Sequence, residues 1–354
     1  MDDITILLTG TGAPGAPSII KCFKKNGERN IRIVGVDMNE KASSRGMVDV
    51  FYKVPSASDS NYINTIFSIC KKEGARIIVP LVTKELKVFA CERTLFERSG
   101  IAVSVMDQHP LSIANNKARL LSAMKEAGMD TPDFYVVNSI DEVKEAFVKI
   151  GYPKKAVCIK PAIGNGSRGI RIVDKRISRA EILFGEKPNS KYISYDELMS
   201  TLNELESLPE MVVMDYLPGD EYGVDALCED GKVLYIAGRY NAKVSSSIPQ
   251  ESIIDNRKEP IEICQELISK LHMDGNVNFD FIYDGNGYPM LIEINPRLSA
   301  TIVAYAPAGI NFPYLRIKQL LGETLPNNSI KVGLHMQRRY NEVFYDEDGK
   351  EISW

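Results

Sequence analysis

The 354-residue chain lacks several features that would settle its class at once. No apolar run approaches the roughly 18 residues of a membrane-spanning helix, so no membrane partner is expected. Lys and Arg number 43 against 47 Asp and Glu, a formal charge of −4 that leaves no basic footprint for nucleic acid. Six cysteines (Cys22, Cys70, Cys91, Cys158, Cys228, Cys264) are scattered singly, without a C-x-x-C pair. His109, His272 and His335 stand far apart. This pattern argues against a zinc site and for reduced thiols in a cytoplasmic protein. A strand begins by Ile4 with no basic region ahead of it, unlike a signal peptide, and no internal repeat is visible.

What is present is an ordinary globular composition, 44% hydrophobic and 25% charged, in a length that suits two or three domains. Residues 4–105 alternate apolar strands (Ile4–Thr9, Ile31–Asp37, Ile77–Pro80, Ile101–Val105) with helical patterns (Ser18–Asn26, Tyr62–Glu73, Leu86–Ser99). That order means a parallel sheet covered on both faces. The first turn, Gly10-Thr11-Gly12-Ala13-Pro14-Gly15, fits G-x-G-x-x-G, and Asp37 ends the next strand, so a nucleotide-linked oxidoreductase is one reading. Pro14 and Pro17 count against it, since each removes an amide donor where a pyrophosphate would need one. The loop otherwise serves tight strand-to-helix packing or substrate contact. The segment Pro80–Glu85, also following a strand, is a second candidate for such contact.

Asn115-Asn116-Lys117 opens a long helix that stops at Gly128. Next, Ala156–Pro161 is a strand delivering Lys160 at its end, followed by a loop holding Gly164, Gly166, Ser167 and Gly169, then a returning strand Ile170–Val173. Glycine lets backbone amides approach phosphate oxygens and lysine adds fixed charge, so the segment reads as a phosphate-covering flap, or else as a flexible hairpin turn. No G-K-[ST] follows, so it is not a Walker A loop. Glu181–Leu208 reads as a polar helical stretch. Met211–Asp225 is an apolar strand that turns at Pro218-Gly219 and resumes with Glu221 just beyond. The segment Arg239–Ser247 is polar and basic, and residues 331–354 form a mostly polar tail.

The densest chemistry lies in Asn278–Thr301. Phe279–Tyr283 and Met290–Ile294 read as paired strands joined by Asp284-Gly285-Asn286-Gly287, residues that tolerate positive φ. Glu293 and Asn295, two apart, share one strand face. A register placing Asp280 opposite them would gather three oxygen ligands, which suits Mg²⁺ completed by waters and phosphates. Arg297 points the same way, towards a developing anion.

The stretch FDF…LIEINPR resembles the metal-binding end of the ATP-grasp superfamily, in the branch that contains biotin carboxylase and the carbamoyl-phosphate synthetase large subunit. The flap and the Glu221 turn match that family in its order. The resemblance implies an α/β and α+β chain: a Rossmann-like pre-ATP-grasp domain (1–110), an ATP-grasp small subdomain with the flap (111–215), a large subdomain with the Mg²⁺ site (216–330) and a tail (331–354). It further implies that Asp280, Glu293 and Asn295 hold Mg²⁺, with Mn²⁺ as a substitute, and that Arg297 stabilises a phosphorylated intermediate. Lys117, Lys160, Gly164, Gly166, Ser167 and Gly169 would hold ATP phosphates. Backbone groups of Asp215, Tyr216 and Leu217 would read adenine, and Glu221 the ribose hydroxyls. Arg239 and Lys243 are candidates to meet the carboxylate and the γ-phosphate, or else are plain surface charge. Asn116 replaces a family Asp, and Met214 stands where many members carry Glu, which puts one adenine contact in doubt. The implied activity is an ATP-dependent carboxylate–amine ligase working through an acylphosphate, with small-molecule acid and amine partners. The alternatives are a bicarbonate- or carbamate-phosphorylating enzyme, a non-catalytic ATP sensor and the oxidoreductase. No second ATP-grasp half, glutaminase or biotinyl carrier is present in the sequence. A homodimer, common among relatives, is one candidate for the oligomeric state.

Overall fold

A computed structural model describes residues 2–164, 166, 168–186, 190–245, 247–339, 341–347 and 351–352. It opens with β1 (Ile4–Thr9), α1 (Ala16–Lys24), β2 (Ile31–Asp37), β3 (Val50–Lys53), α2 (Tyr62–Glu73), β4 (Ile77–Val79), α3 (Thr83–Glu97), β5 (Ala102–Val103) and α4 (Gln108–Ala114). The five strands form an all-parallel sheet in the order β3-β2-β1-β4-β5. Central β1 is mostly apolar, as a strand buried on both faces requires: Ile6, Leu7 and Leu8 are fully buried. Strand β3 was not expected from the sequence. Val50-Phe51-Tyr52-Lys53 is half-exposed at the sheet edge, so it carries no continuous apolar run.

The glycine fingerprint after β1 is closed upon itself. Asp37 Oδ2 accepts from the Gly12 amide at 2.7 Å. Gly15 packs so tightly that a Cβ there would lie 2.7 Å from Ala300 Cα, and Pro17 sits in the first turn of α1. The loop serves close packing.

The chain then continues as α5 (Lys117–Glu126), β6 (Phe134–Val137), α6 (Ile140–Ile150), β7 (Val157–Pro161), β8 (Arg171–Val173), α7 (Arg179–Gly185), α8 (Tyr195–Asn203) and β9 (Met211–Asp215). The expected single helical stretch 181–208 is two helices, each with its own serine cap, Ser178 and Ser194. Strands β6, β9, β7 and β8 form an antiparallel sheet in that order. Alternation along β7 sends Val157 and Ile159 into a core with Val143, Phe147 and Val213. The opposite face carries Cys158, Val212 and Met214, which pack with Ala118 and Leu121 of α5.

The remaining elements are β10 (Glu221–Glu229), β11 (Lys232–Ser245), β12 (Ile248–Ile254), α9 (Lys258–Lys270), β13 (Gly275–Tyr283), β14 (Pro289–Asn295), α10 (Phe312–Leu320), β15 (His335–Gln337), β16 (Phe344–Tyr345) and β17 (Glu351–Ile352). Six strands pair in the order β14-β13-β10-β11-β12-β15. The basic segment from Arg239 is part of a strand. It continues β11 to Ser245, because β12 pairs with it through Lys243↔Glu251 and Ser245↔Ile248. Nor is the tail merely polar, since β15 adds an edge strand to β12. No helix among the described residues is long and apolar enough to cross a membrane.

The chain divides into two compact units. The first comprises Met1–Ser112, Tyr222–Asp280 and Ile294–Trp354, and the second Ile113–Glu221 with Phe281–Glu293. The boundary passes through the β13–β14 hairpin, whose tip residues Ile282, Met290 and Ile292 pack on the α5 face of the second unit's sheet. At that tip Asp284 Oδ1 accepts from the amides of Asn286 and Tyr288, both at 2.8 Å, and Gly287 takes φ +80°.

Glu85 of α3 is buried and accepts from Thr9 Oγ1. Burial raises its pKa above the usual 4.5, and the Thr9 hydrogen bond only partly opposes this. A raised folded-state pKa contributes stability that is fully present below the unfolded value and is lost as pH rises through the folded value. The urea midpoint of Glu85→Gln minus that of wild type should therefore grow as pH increases above 4.5. A difference that stays flat with pH would refute burial of this carboxyl.

Candidate active site

Asn116 caps α5, its side chain accepting from the Arg119 amide at 3.0 Å, which fixes Lys117 as the first helical residue. The Lys117 backbone amide donates to Ala162 O at 2.8 Å. Its ammonium donates to Gly164 O at 3.0 Å and to Glu293 Oε1 at 3.1 Å. Lys160, at the end of β7, lies on the face that also holds Met214, only 3% exposed, and donates from Nζ to Ile292 O at 3.3 Å. Burial pushes its pKa down; Cys158 and Glu293 oppose the shift and Lys117 adds to it. Both ammonium groups, Gly164, Arg168, Ile170 and Glu293 line one pocket. Three cationic side chains against one carboxylate make it a site for a polyanion. In the β7–β8 loop, Gly166 and Gly169 take φ of +64° and +78°, conformations that L side chains rarely adopt. Ser167 lies outside the described residues.

Elsewhere in the second unit, Asp215 ends β9 and its amide donates to Asp133 O at 3.0 Å. The Tyr216 amide reaches Ala156 O at 3.4 Å, and Leu217 is buried against Met214 and Val212. Burial raises the pKa of Asp215, which Lys155 at 3.7 Å opposes. Glu221, where β10 begins, is likewise raised by burial, with Lys191 opposing. It is half-buried, and its two oxygens are acceptors of the kind hydroxyl groups need.

In the first unit a chain of hydrogen bonds runs back along β14. Arg297 Nη2 donates to Asn295 Oδ1 at 3.1 Å, and Asn295 Nδ2 donates to Asp280 Oδ2 at 2.9 Å. Arg297 is also held by Thr83 Oγ1 at 3.2 Å and Leu298 O at 2.9 Å. Asp280 and Asn295 here, and Glu293 in the second unit, are all carried by the same hairpin and offer only hard oxygen donors. Among the described residues no group of three or more His, Cys, Asp or Glu is placed to hold a metal by itself. Carboxylate and amide oxygens are the donors Mg²⁺ takes, and it keeps waters and substrate phosphates in its remaining positions. Asn295 would need its amide turned by half a revolution to offer oxygen beside Asp280.

The other two candidates are placed differently. Arg239 is 2% exposed and bound to Asp225 and to Tyr305 Oη, the latter at 2.8 Å. Its guanidinium is paired with these two groups inside the first unit. Lys243 has a 67%-exposed side chain on β11 with Glu251 at 3.9 Å, a loose surface pair. Sequence reasoning did not single out Arg168 or Asp225. Arg168 was visible as the only cation inside the glycine-rich loop, whereas nothing local marks Asp225 as the partner of Arg239.

Comparisons with known proteins agree with this geometry. Residues 6–104 match the family described as PylC-like, N-terminal domain, and residues 207–342 match ATP-grasp in the biosynthetic pathway with Ter operon. The carbamoyl phosphate synthase large chain of Bifidobacterium longum (strain DJO10A) is 25% identical over 276 residues, covering 68% of this chain and 23% of its own length. The chain thus spans about a quarter of the length of the curated relatives it matches. The ADP complex of N5-carboxyaminoimidazole ribonucleotide synthetase superposes with a TM-score of 0.66 at 17% identity, covering 93% of this chain and 79% of that one. L-amino acid ligase from Bacillus licheniformis gives 0.63 at 16% identity, covering 91% and 74%. At such identities the solved structures speak for the fold alone. The chain thus carries a segment similar to a PylC-like N-terminal domain and one similar to ATP-grasp proteins. By sequence it is similar to carbamoyl phosphate synthase large chains, and by fold to biotin carboxylase.

Because the pocket of the second unit gathers cations, inorganic tripolyphosphate should bind there. Calorimetric affinity should fall at least about tenfold in Lys160→Met, about 1.4 kcal/mol. In wild type it should weaken on raising pH at lower pH than an ordinary lysine would dictate, since the depressed pKa makes Lys160 lose its proton early. Equal affinities for both proteins would remove Lys160 from the site.

Proposed function

We propose that the protein is an ATP-dependent ligase that joins a small carboxylic acid to an amine and releases ADP and phosphate. The observation that carries this reading is the pair of buried ammonium groups, Lys117 and Lys160, meeting Glu293 beside a glycine-rich loop. In this reading the pocket holds the triphosphate, with the amides near Gly164, Gly166 and Gly169 covering it. The segment Asp215–Leu217 supports the adenine, and Glu221 accepts the ribose hydroxyls. Mg²⁺, when bound by Asp280, Glu293 and Asn295, supplies charge neutralisation at the phosphates. Arg297, anchored by Thr83 and Leu298, presents fixed positive charge to the phosphoryl group as the carboxylate attacks it. An acylphosphate results, and the amine displaces phosphate from it. Arg239 contributes from within, as the buried counter-charge of Asp225. Lys243 is left as surface charge. Reduced, mostly buried cysteines fit a cytoplasmic setting.

Similarity to carbamoyl phosphate synthase large chains favours a second reading, phosphorylation of bicarbonate or carbamate. Phosphate release from Mg-ATP separates the two. The ligase requires an acid and an amine together, whereas the second reading predicts release with bicarbonate alone. In the same assay Glu293→Gln should lose at least about a hundredfold in turnover, roughly 2.7 kcal/mol, while its circular dichroism and melting curve match wild type. Retained turnover would remove Glu293 from the chemistry.

A further inference from the structure

The backbone around Arg297 is fixed where the chain leaves β14. The Arg297 amide donates to Asn295 O at 2.8 Å, Arg338 Nη2 donates to Ala300 O at 2.6 Å, and Gly15 packs against Ala300. A fixed backbone still leaves a long side chain several rotatable bonds. The guanidinium bonds Asn295 and Leu298 within its own segment, whereas Nε donates to Thr83 Oγ1 at 3.2 Å, a group from another element. The aim of Arg297 therefore depends on where Thr83 stands.

Thr83 is the first residue of α3, and the cap of that helix does little to place it. Val82 at the N-cap makes no side-chain hydrogen bond. Glu85 occupies the third helical position, from which a glutamate commonly reaches back to the cap amide. Here its Oε2 accepts instead from Thr9 Oγ1. Thr9 is the last residue of β1 and is fully buried. The same oxygen accepts from the Leu81 amide at 3.3 Å.

A threonine hydroxyl has one proton to give and lone pairs to receive with, so this one group ties Leu81 and Glu85 together. They stand two residues before and two residues after Thr83. The sheet itself has no use for the hydroxyl. Its neighbours Ile6, Leu7 and Leu8 are apolar, and valine has the same shape. A buried hydroxyl is tolerated only through the bonds it makes, and both of these bonds go to the segment that carries Thr83. We infer that Thr9 is a positioning residue, clamping the start of α3 so that Thr83 aims the guanidinium of Arg297. The inference rests on the ligase reading for the step that Arg297 serves, but the placement of Arg297 can be read without turnover.

The test uses the full chain. The NMR signal of the Arg297 Nε proton is identified by its absence in Arg297→Met. Its exchange with solvent should be at least about tenfold faster in Thr9→Val than in wild type. It should return to the wild-type rate in Thr9→Ser, which keeps the hydroxyl, while the backbone amides of β1 stay protected in both variants. Thr9→Ala serves if the valine variant does not fold. In phosphate release from Mg-ATP, kcat should fall at least about tenfold in Thr9→Val at unchanged KM for ATP, and recover in Thr9→Ser. Faster exchange with unaltered kcat, or no recovery in Thr9→Ser, would overturn the inference. Unchanged exchange in a protein that releases phosphate with some acid–amine pair would overturn it and spare the ligase reading. Faster exchange in a protein that releases phosphate with no pair would support the Thr9 clamp and overturn the ligase reading.

Discussion

The second unit depends on keeping an ammonium group almost wholly out of water. Lys160 is 3% exposed on a sheet face otherwise built from Met214, Val212 and the apolar side of α5. Taking a cation from water costs several kcal/mol unless polar partners surround it. The Ile292 carbonyl meets it directly, and Lys117, Glu293 and Arg168 share the pocket it lines. The hairpin tip is drawn into the second unit for the same reason, since its apolar residues cover the face from which Lys160 emerges. Fold and charge placement are here one problem.

The first unit solves a related problem differently. Arg239 is buried as completely as Lys160, but it is paired with Asp225 and Tyr305. A buried pair of this kind adds little net stability over apolar packing, yet losing one partner strands the other charge. Two buried cations in one chain therefore have opposite meanings. The one with a neutral carbonyl partner waits for an anion, and the one with a carboxylate partner does not.

Much of this was legible in the sequence. Alternating apolar strands and amphipathic helices marked the parallel sheet, and helix α2 begins and ends at the expected residues because Gly74 stops it in the left-handed region. The Asn116 cap, the Asp284–Gly287 turn and the lysine at the end of β7 were equally visible, since each is written in local residue chemistry. Long-range pairing was hidden. The sequence around Arg239 looks like an exposed basic loop until β12 pairs with it and Asp225 closes over the guanidinium. The same holds for β15, a polar tail segment made a strand by its neighbour.

The bond between Gly12 and Asp37 bears on how such sheets diverge. In a dinucleotide fold an acid at this place reaches outward for a ribose hydroxyl. Here it accepts from the Gly12 amide and closes the glycine loop, so the fingerprint is present as spelling without that use. A single side-chain rotation separates the two uses. Motif searches read letters, and the letters here do not record which way the carboxylate faces.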